Sequence, residues 1–234
     1  MSSTAVPALG ERRYYLTASL ILIAVTLAGF SIDADLVFHL DQLSALVLLH
    51  GLLMFGWLAM FATQVTLVAV GRVDLHRRLG VAGTVLAATL VVVGIATIVV
   101  AVKLGGDHMP PHMAAAPFLA SAFELLFTFG VLVAFGIGLR RRRDYHKRLM
   151  LLATIPLLDA AIVRFVGTYT TWTFDPTDIR NGIIALCVVV DTIRCRRLHP
   201  AFLAGAAFIL ICDQIANGLA VMPAWEHFTA WVAS

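Results

Sequence analysis

Charge is scarce in this chain. Only 13% of its 234 residues are Asp, Glu, Lys or Arg, 60% are apolar, and the mean hydropathy is +0.91. That balance lies outside the range of soluble globular domains. Long polar stretches are missing too, none exceeding about fifteen residues, so no soluble domain fits. Cysteine is nearly absent. Cys187, Cys195 and Cys212 lie in or beside late apolar segments, without the spacing of a zinc or haem-attachment motif. They read as small packing residues. No His-Glu-x-x-His and no helical His-x-x-x-His occurs, which places a metal-dependent membrane hydrolase last among the candidate functions.

Long apolar runs are abundant. A bilayer core of about 30 Å needs about 20 helical residues. Seven segments qualify: 14–32, 43–71, 80–104, 115–139, 149–167, 179–195 and 201–222. The sixth is the least apolar, with a clean run only from Ile183 to Val190. The first follows Arg12-Arg13 but is long for a signal peptide and lacks a small-x-small cleavage site before Asp33. It reads as an uncleaved anchor.

Basic residues fall in alternate connections. Fourteen of the seventeen Lys and Arg lie at Arg12-Arg13, at Arg72 with Arg77-Arg78, at Arg140 to Arg143 with Lys147-Arg148, and at Arg194 with Arg196-Arg197. The opposite connections hold only Lys103 and Arg180, and Arg164 sits inside a span. The positive-inside rule then predicts an all-α integral membrane protein with its amino terminus inside and its carboxyl terminus outside. The whole chain reads as one transmembrane domain, a seven-helix bundle. The net charge of +3 comes from short juxtamembrane loops, which points to anionic lipid headgroups and not to nucleic acid.

Two basic turns repeat at an offset of seventy residues. Arg72-Val-Asp-Leu-His-Arg-Arg-Leu79 matches Arg142-Arg-Asp-Tyr-His-Lys-Arg-Leu149 at five of eight positions, and Arg194 to Pro200 shares the Arg-Arg-Leu core. The pattern predicts three parallel helical hairpins after one amino-terminal span. Asp74 and Asp144 are expected to cap the returning helices and to pair with Arg78 and Arg148, four residues on. His76, His146 and His199 read as interfacial polar residues. The segments 71–87, 146–164 and 196–205, with their LHRRLG, HKRLM and RRLHP motifs, resemble a family of uncharacterised bacterial multi-pass membrane proteins. The resemblance implies a multi-pass protein of the bacterial inner membrane and no assigned activity.

Ionisable residues inside spans are candidate functional groups. They are His50, Glu124, Asp159, Arg164, Asp191 and Asp213. His50, Glu124, Asp159, Arg164 and Asp213 are the candidate ligand-binding set, in or near the outer half. Arg164 is expected to pair with Asp213 or Glu124. Asp191, near the inner boundary, is expected to reach Arg194. The loop Asp107 to Met113 adds His108, Met109, His112 and Met113, whose thioethers and imidazoles suit copper(I). The equally simple reading is an interfacial loop with methionines dipping into lipid. Two functions follow. One is a transporter component or sensor with an outward-facing polar pocket. The other is an electron-transfer protein binding copper or a b-type haem, with His50 and His112 as axial ligands.

Overall fold

The computed structural model describes residues 9–31, 44–105, 113–169 and 176–234, and these are all-α. The helices are α1 (Leu9–Ser31), α2 (Ala45–Ala69), α3 (Val73–Leu104), α4 (Ala115–Gly138), α5 (Arg143–Thr154), α6 (Asp159–Tyr169), α7 (Pro176–Cys195), α8 (Pro200–Ala220) and α9 (Pro223–Ala233). A single 3-10 turn, Pro156–Leu158, joins α5 to α6. Among the described residues six stretches are long and apolar enough to cross a bilayer: Gly10–Ser31, Ala45–Ala69, Val73–Leu104, Ala115–Gly138, Arg143–Val166 and Pro200–Ala220. Their outward faces are apolar as well. Leu20, Val81, Val92, Phe135 and Leu203 are all largely exposed. Such a surface in water would be an aggregation hazard, whereas lipid tails solvate it without cost.

The chain divides into two compact units. The first comprises Met1–Leu90 and Ala160–Phe174. Here α1 packs on α2, with Phe30 edge-on to Phe55 at 5.4 Å between ring centres. Gly29 lies against the Ala161 backbone, where any Cβ would collide. Ser44 caps α2 by accepting from the Val47 amide at 3.3 Å. The turn into α3 passes through Gly71 at φ +82°, a conformation that favours glycine.

The second unit comprises Val91–Asp159 and Asp175–Ser234. In it α4 packs against α5 and α8, α5 against α8, and α9 against α4. Phe129, Leu151, Leu152, Phe202 and Ile209 are fully buried there. Gly205 lets α8 approach α5: a Cβ on it would stand 2.5 Å from Leu152 Cδ1. Trp225 of α9 donates its indole N–H to the Ala116 carbonyl at 3.0 Å, which fastens α9 to the start of α4.

Several expectations need correction. The span drawn at 149–167 begins earlier, at Arg143, and is not one helix. Pro156 has no N–H to continue the ladder, and the chain tightens to 3-10 there. Asp74 and Asp144 lie in the first turns of α3 and α5 and do not cap them; Arg142 occupies the cap position of α5. Asp144 does reach Arg148, at 3.7 Å, but its closer partner is Lys147 at 2.6 Å. Asp74 pairs with Arg72 at 3.6 Å instead of Arg78. The repeated histidines tie each returning helix to the one before it. His146 Nδ1 lies 2.8 Å from the Gly136 carbonyl. Gln64, with its amide nitrogen turned to His76, reaches that ring at 2.5 Å and accepts from the Gly80 amide at 3.0 Å.

The helix α7, drawn as a span over 179–195, is not among the six apolar stretches, because it carries Asp178, Arg180, Asp191 and Arg194. Its amphipathicity is inverted relative to a soluble helix. Leu186, Val189 and Ile193 are exposed, while Arg180, Ile184 and Asp191 are buried. The buried residues recur at intervals of four and seven, one face of a helix.

Candidate functional site: a carboxylate cluster on Arg180

Four helices of the second unit bring ionisable side chains to one point. Glu124 projects from α4, nine residues or about 13 Å beyond its first residue. Asp159 opens α6, so the break at Pro156 sets where its carboxylate emerges. Arg180 lies in the second turn of α7. Asp213 lies on α8, about 20 Å from the basic turn at 196–199.

Arg180 is the centre. Its Nη1 donates to Asp159 Oδ2 at 2.8 Å and its Nη2 to Asp213 Oδ2 at 2.5 Å. Glu124 Oε2 is 3.9 Å from Nη1, within ion-pair range but too long for a hydrogen bond. The guanidinium Nε faces Asn181 Oδ1 at 3.4 Å. Only 2% of Arg180, 5% of Asp213 and 8% of Glu124 is exposed. Glu124 Oε1 is buried and makes no hydrogen bond among the described residues. The Thr128 hydroxyl, one turn on, donates to the Glu124 backbone carbonyl at 3.0 Å.

Counting charge gives the site its chemistry. Three carboxylates face one guanidinium. Among the described residues the three acids, when ionised, outnumber the guanidinium. Burying one ion costs several kcal/mol unless it is paired, so a proton on one of these acids would ease the cluster. Among the described residues no three His, Cys, Asp or Glu converge as a metal-ligand set.

A second buried arginine lies towards the basic end of the same unit. Arg148 donates from Nε to Asp191 Oδ2 at 2.8 Å and from Nη2 to Oδ1 at 2.9 Å, a two-pronged pair. Its Nη1 also donates to the Asp144 carbonyl at 2.9 Å, and the group lies over the Phe202 ring at 5.7 Å. Asp191 therefore does not reach for Arg194, three residues away. Its partner is on α5.

The expected site residues are distributed as follows. Glu124, Asp159 and Asp213 converge. The arginine they share is Arg180 and not Arg164. Arg164 belongs to the first unit, where its guanidinium stacks over Phe30 at 4.5 Å and donates to the Ala160 carbonyl at 3.0 Å. His50 belongs to the first unit as well, on α2, with Nδ1 buried and without a hydrogen-bond partner among the described residues. His108, Met109 and His112 lie outside the described residues, and Met113 is half-buried just before α4.

Sequence reading missed Arg180 because it placed the residue at the edge of an outer loop. One signal was present. Arg180, Ile184, Cys187 and Asp191 are spaced by four, three and four residues, a single helix face that carries both charges inward. Pro176 at the first helical position marks where that helix begins. In comparisons with known proteins, no family model, no curated protein and no solved structure matches the chain.

Proposed function

We propose that this chain is a multi-span membrane protein that moves protons, as a transporter component, through the carboxylate cluster on Arg180. The observation that carries the reading is that two buried carboxylates, Glu124 and Asp213, and the half-buried Asp159 face one guanidinium, with Glu124 Oε1 left without a hydrogen bond among the described residues. Ionisable groups within membrane helices are the usual stations of proton relays. Glu124 is the mobile-proton carrier in this reading, because its contact with Arg180 is the longest of the three. Asp159 and Asp213 hold the arginine in place.

The same reading has α7 crossing the bilayer, giving seven spans. Its two inward charges each have a buried partner, Arg180 in the cluster and Asp191 on Arg148, while the opposite face is apolar. Twenty residues reach about 30 Å, the thickness of the hydrocarbon core. With the basic turns inside, the amino terminus lies in the cytoplasm, the carboxyl terminus outside, and the cluster in the outer half. A bacterial inner membrane suits this arrangement and the resemblance at the turns.

Proteoliposomes test the function. Protein in potassium-loaded vesicles, with valinomycin to set a potential and an entrapped pH dye, is expected to carry protons faster than protein-free vesicles. Glu124→Gln is expected to abolish the excess. Equal rates for the native protein and Glu124→Gln would overturn the reading.

A further inference from the structure

The basic turns of the second unit enclose a cleft that the proton reading does not use. It has a volume of about 590 Å³ and lies where α5 and α8 begin, with Arg142, Arg143, Arg197, Tyr145, His199 and one carboxylate, Asp144, on its walls. None of the three arginines makes an ion pair with a described residue. Asp144, the acid beside them, is engaged by Lys147 and Arg148. The cleft is therefore a concentration of unspent positive charge.

Its donors are arranged for an anion. No side chain caps α5 at Arg142, and only the Arg143 and Asp144 amides of its first turn make no hydrogen bond among the described residues. His199 is only 6% exposed, and its ring is held edge-on to Tyr145 at 4.9 Å. Its Nδ1 accepts from the Ala201 amide at 3.1 Å, which caps α8 and requires the hydrogen of a neutral ring to sit on Nε2. Burial, and then the charge of nearby Arg148, lower the His199 pKa and favour that neutral ring. Nε2–H makes no hydrogen bond among the described residues. This ring N–H, on the wall of an arginine-lined cleft, is free to donate to a bound anion.

We infer that this cleft binds the phosphate of an anionic phospholipid headgroup. Phosphate is the chemistry that several guanidinia and a helix amino terminus recognise together. The lipid source follows from position. Leu198, on the wall of the cleft, is exposed, and Leu203 lies one turn further along α8 with its side chain outward. Phosphate in the cleft would leave the acyl chains beside this apolar surface.

Native mass spectrometry of the full chain tests the inference, with phosphatidylglycerol, phosphatidylcholine and inorganic phosphate as probes. The triple variant Arg142→Gln, Arg143→Gln, Arg197→Gln is compared with Arg140→Gln, Arg141→Gln, Arg196→Gln. The second triple removes the same charge from the same turns but none from the cleft walls. Each basic residue near a membrane surface contributes enough that three together give about a hundredfold in lipid affinity. The expected result is phosphatidylglycerol bound at one copy, and at least about tenfold weaker in the first triple than in the second. Phosphatidylcholine should not compete. Equal losses in the two triples would reduce the effect to diffuse surface attraction and overturn the site. Displacement of phosphatidylglycerol by millimolar inorganic phosphate would assign the cleft to free phosphate and overturn the lipid. All of the substituted arginines are exposed, so folding is expected to survive, and matching circular dichroism of the two triples checks it.

Discussion

Arg148 and Arg180 are buried in the same helical unit, yet they are held in opposite ways. Arg148 hydrogen-bonds one carboxylate, Asp191, through two parallel contacts at 2.8 and 2.9 Å, while Asp144 lies 3.7 Å away and is itself hydrogen-bonded by Lys147. Charge is balanced, and both carboxylate oxygens are occupied. Arg180 meets three carboxylates on three other helices, at 2.5, 2.8 and 3.9 Å. The acids outnumber the described cation, and Glu124 Oε1 has no hydrogen bond among the described residues. A balanced pair can fix the register of two helices and do nothing else. On the proposed reading, the unbalanced cluster takes up a proton, so its state varies with pH. Burial alone does not distinguish the two centres; stoichiometry does.

Mutations can break this contrast. The largest effect is expected from Arg180→Met, which strands the buried carboxylates of Glu124 and Asp213 and the half-buried one of Asp159. Removing one partner of a buried pair costs about 3–5 kcal/mol, and here three acids lose their shared partner. Unfolding in mixed micelles should place the loss at or above the top of that range, and a cost below about 1 kcal/mol would contradict the cluster's importance. Arg148→Met should cost about 3–5 kcal/mol for the same reason. There the remedy is simple: adding Asp191→Leu to Arg148→Met should restore stability to within about 1 kcal/mol. A double variant as unstable as the single one would show that Arg148 does more than neutralise Asp191.

Packing supplies a reference unrelated to charge. Gly205→Ala places a methyl 2.5 Å from Leu152 Cδ1, so Leu152 or the helix must shift. Overpacking of this kind costs about 1–3 kcal/mol. A loss of that size in the same micelle assay would rank the α5–α8 contact below both arginine centres, and a neutral result would show that Leu152 moves aside freely. The smallest effect is expected from Glu124→Gln. The change removes excess negative charge and keeps the shape, so stability should stay within about 1 kcal/mol of the native protein or rise. A loss as large as that of Arg148→Met would mean that Glu124 is a structural ion-pair partner.

The apolar runs made most of the helices legible, because bilayer thickness sets their length and hydropathy sets their position. The acids were legible too: Glu124, Asp159 and Asp213 stand out against apolar neighbours. Their cation was not. Arg180 sits four residues into α7, where a chain read by hydropathy alone is still in a loop. Arg164 drew attention because it lies within an apolar run, but that run is broken at Pro156 and the residue belongs to the first unit. Asp191 was assigned to its sequence neighbour Arg194, whereas its partner is 43 residues away on α5. Helix-face periodicity on α7 carried the missing information. Partner choice across helices depends on packing that no local pattern records.

The central claim is that the Arg180 cluster holds a proton on Glu124. Infrared spectroscopy of the full chain in lipid at neutral pH tests it directly. The account predicts the carbonyl stretch of a protonated carboxylic acid, shifted by deuterium exchange, present in the native protein and lost in Glu124→Gln. A native spectrum without that band, or a band that survives in Glu124→Gln, would contradict it.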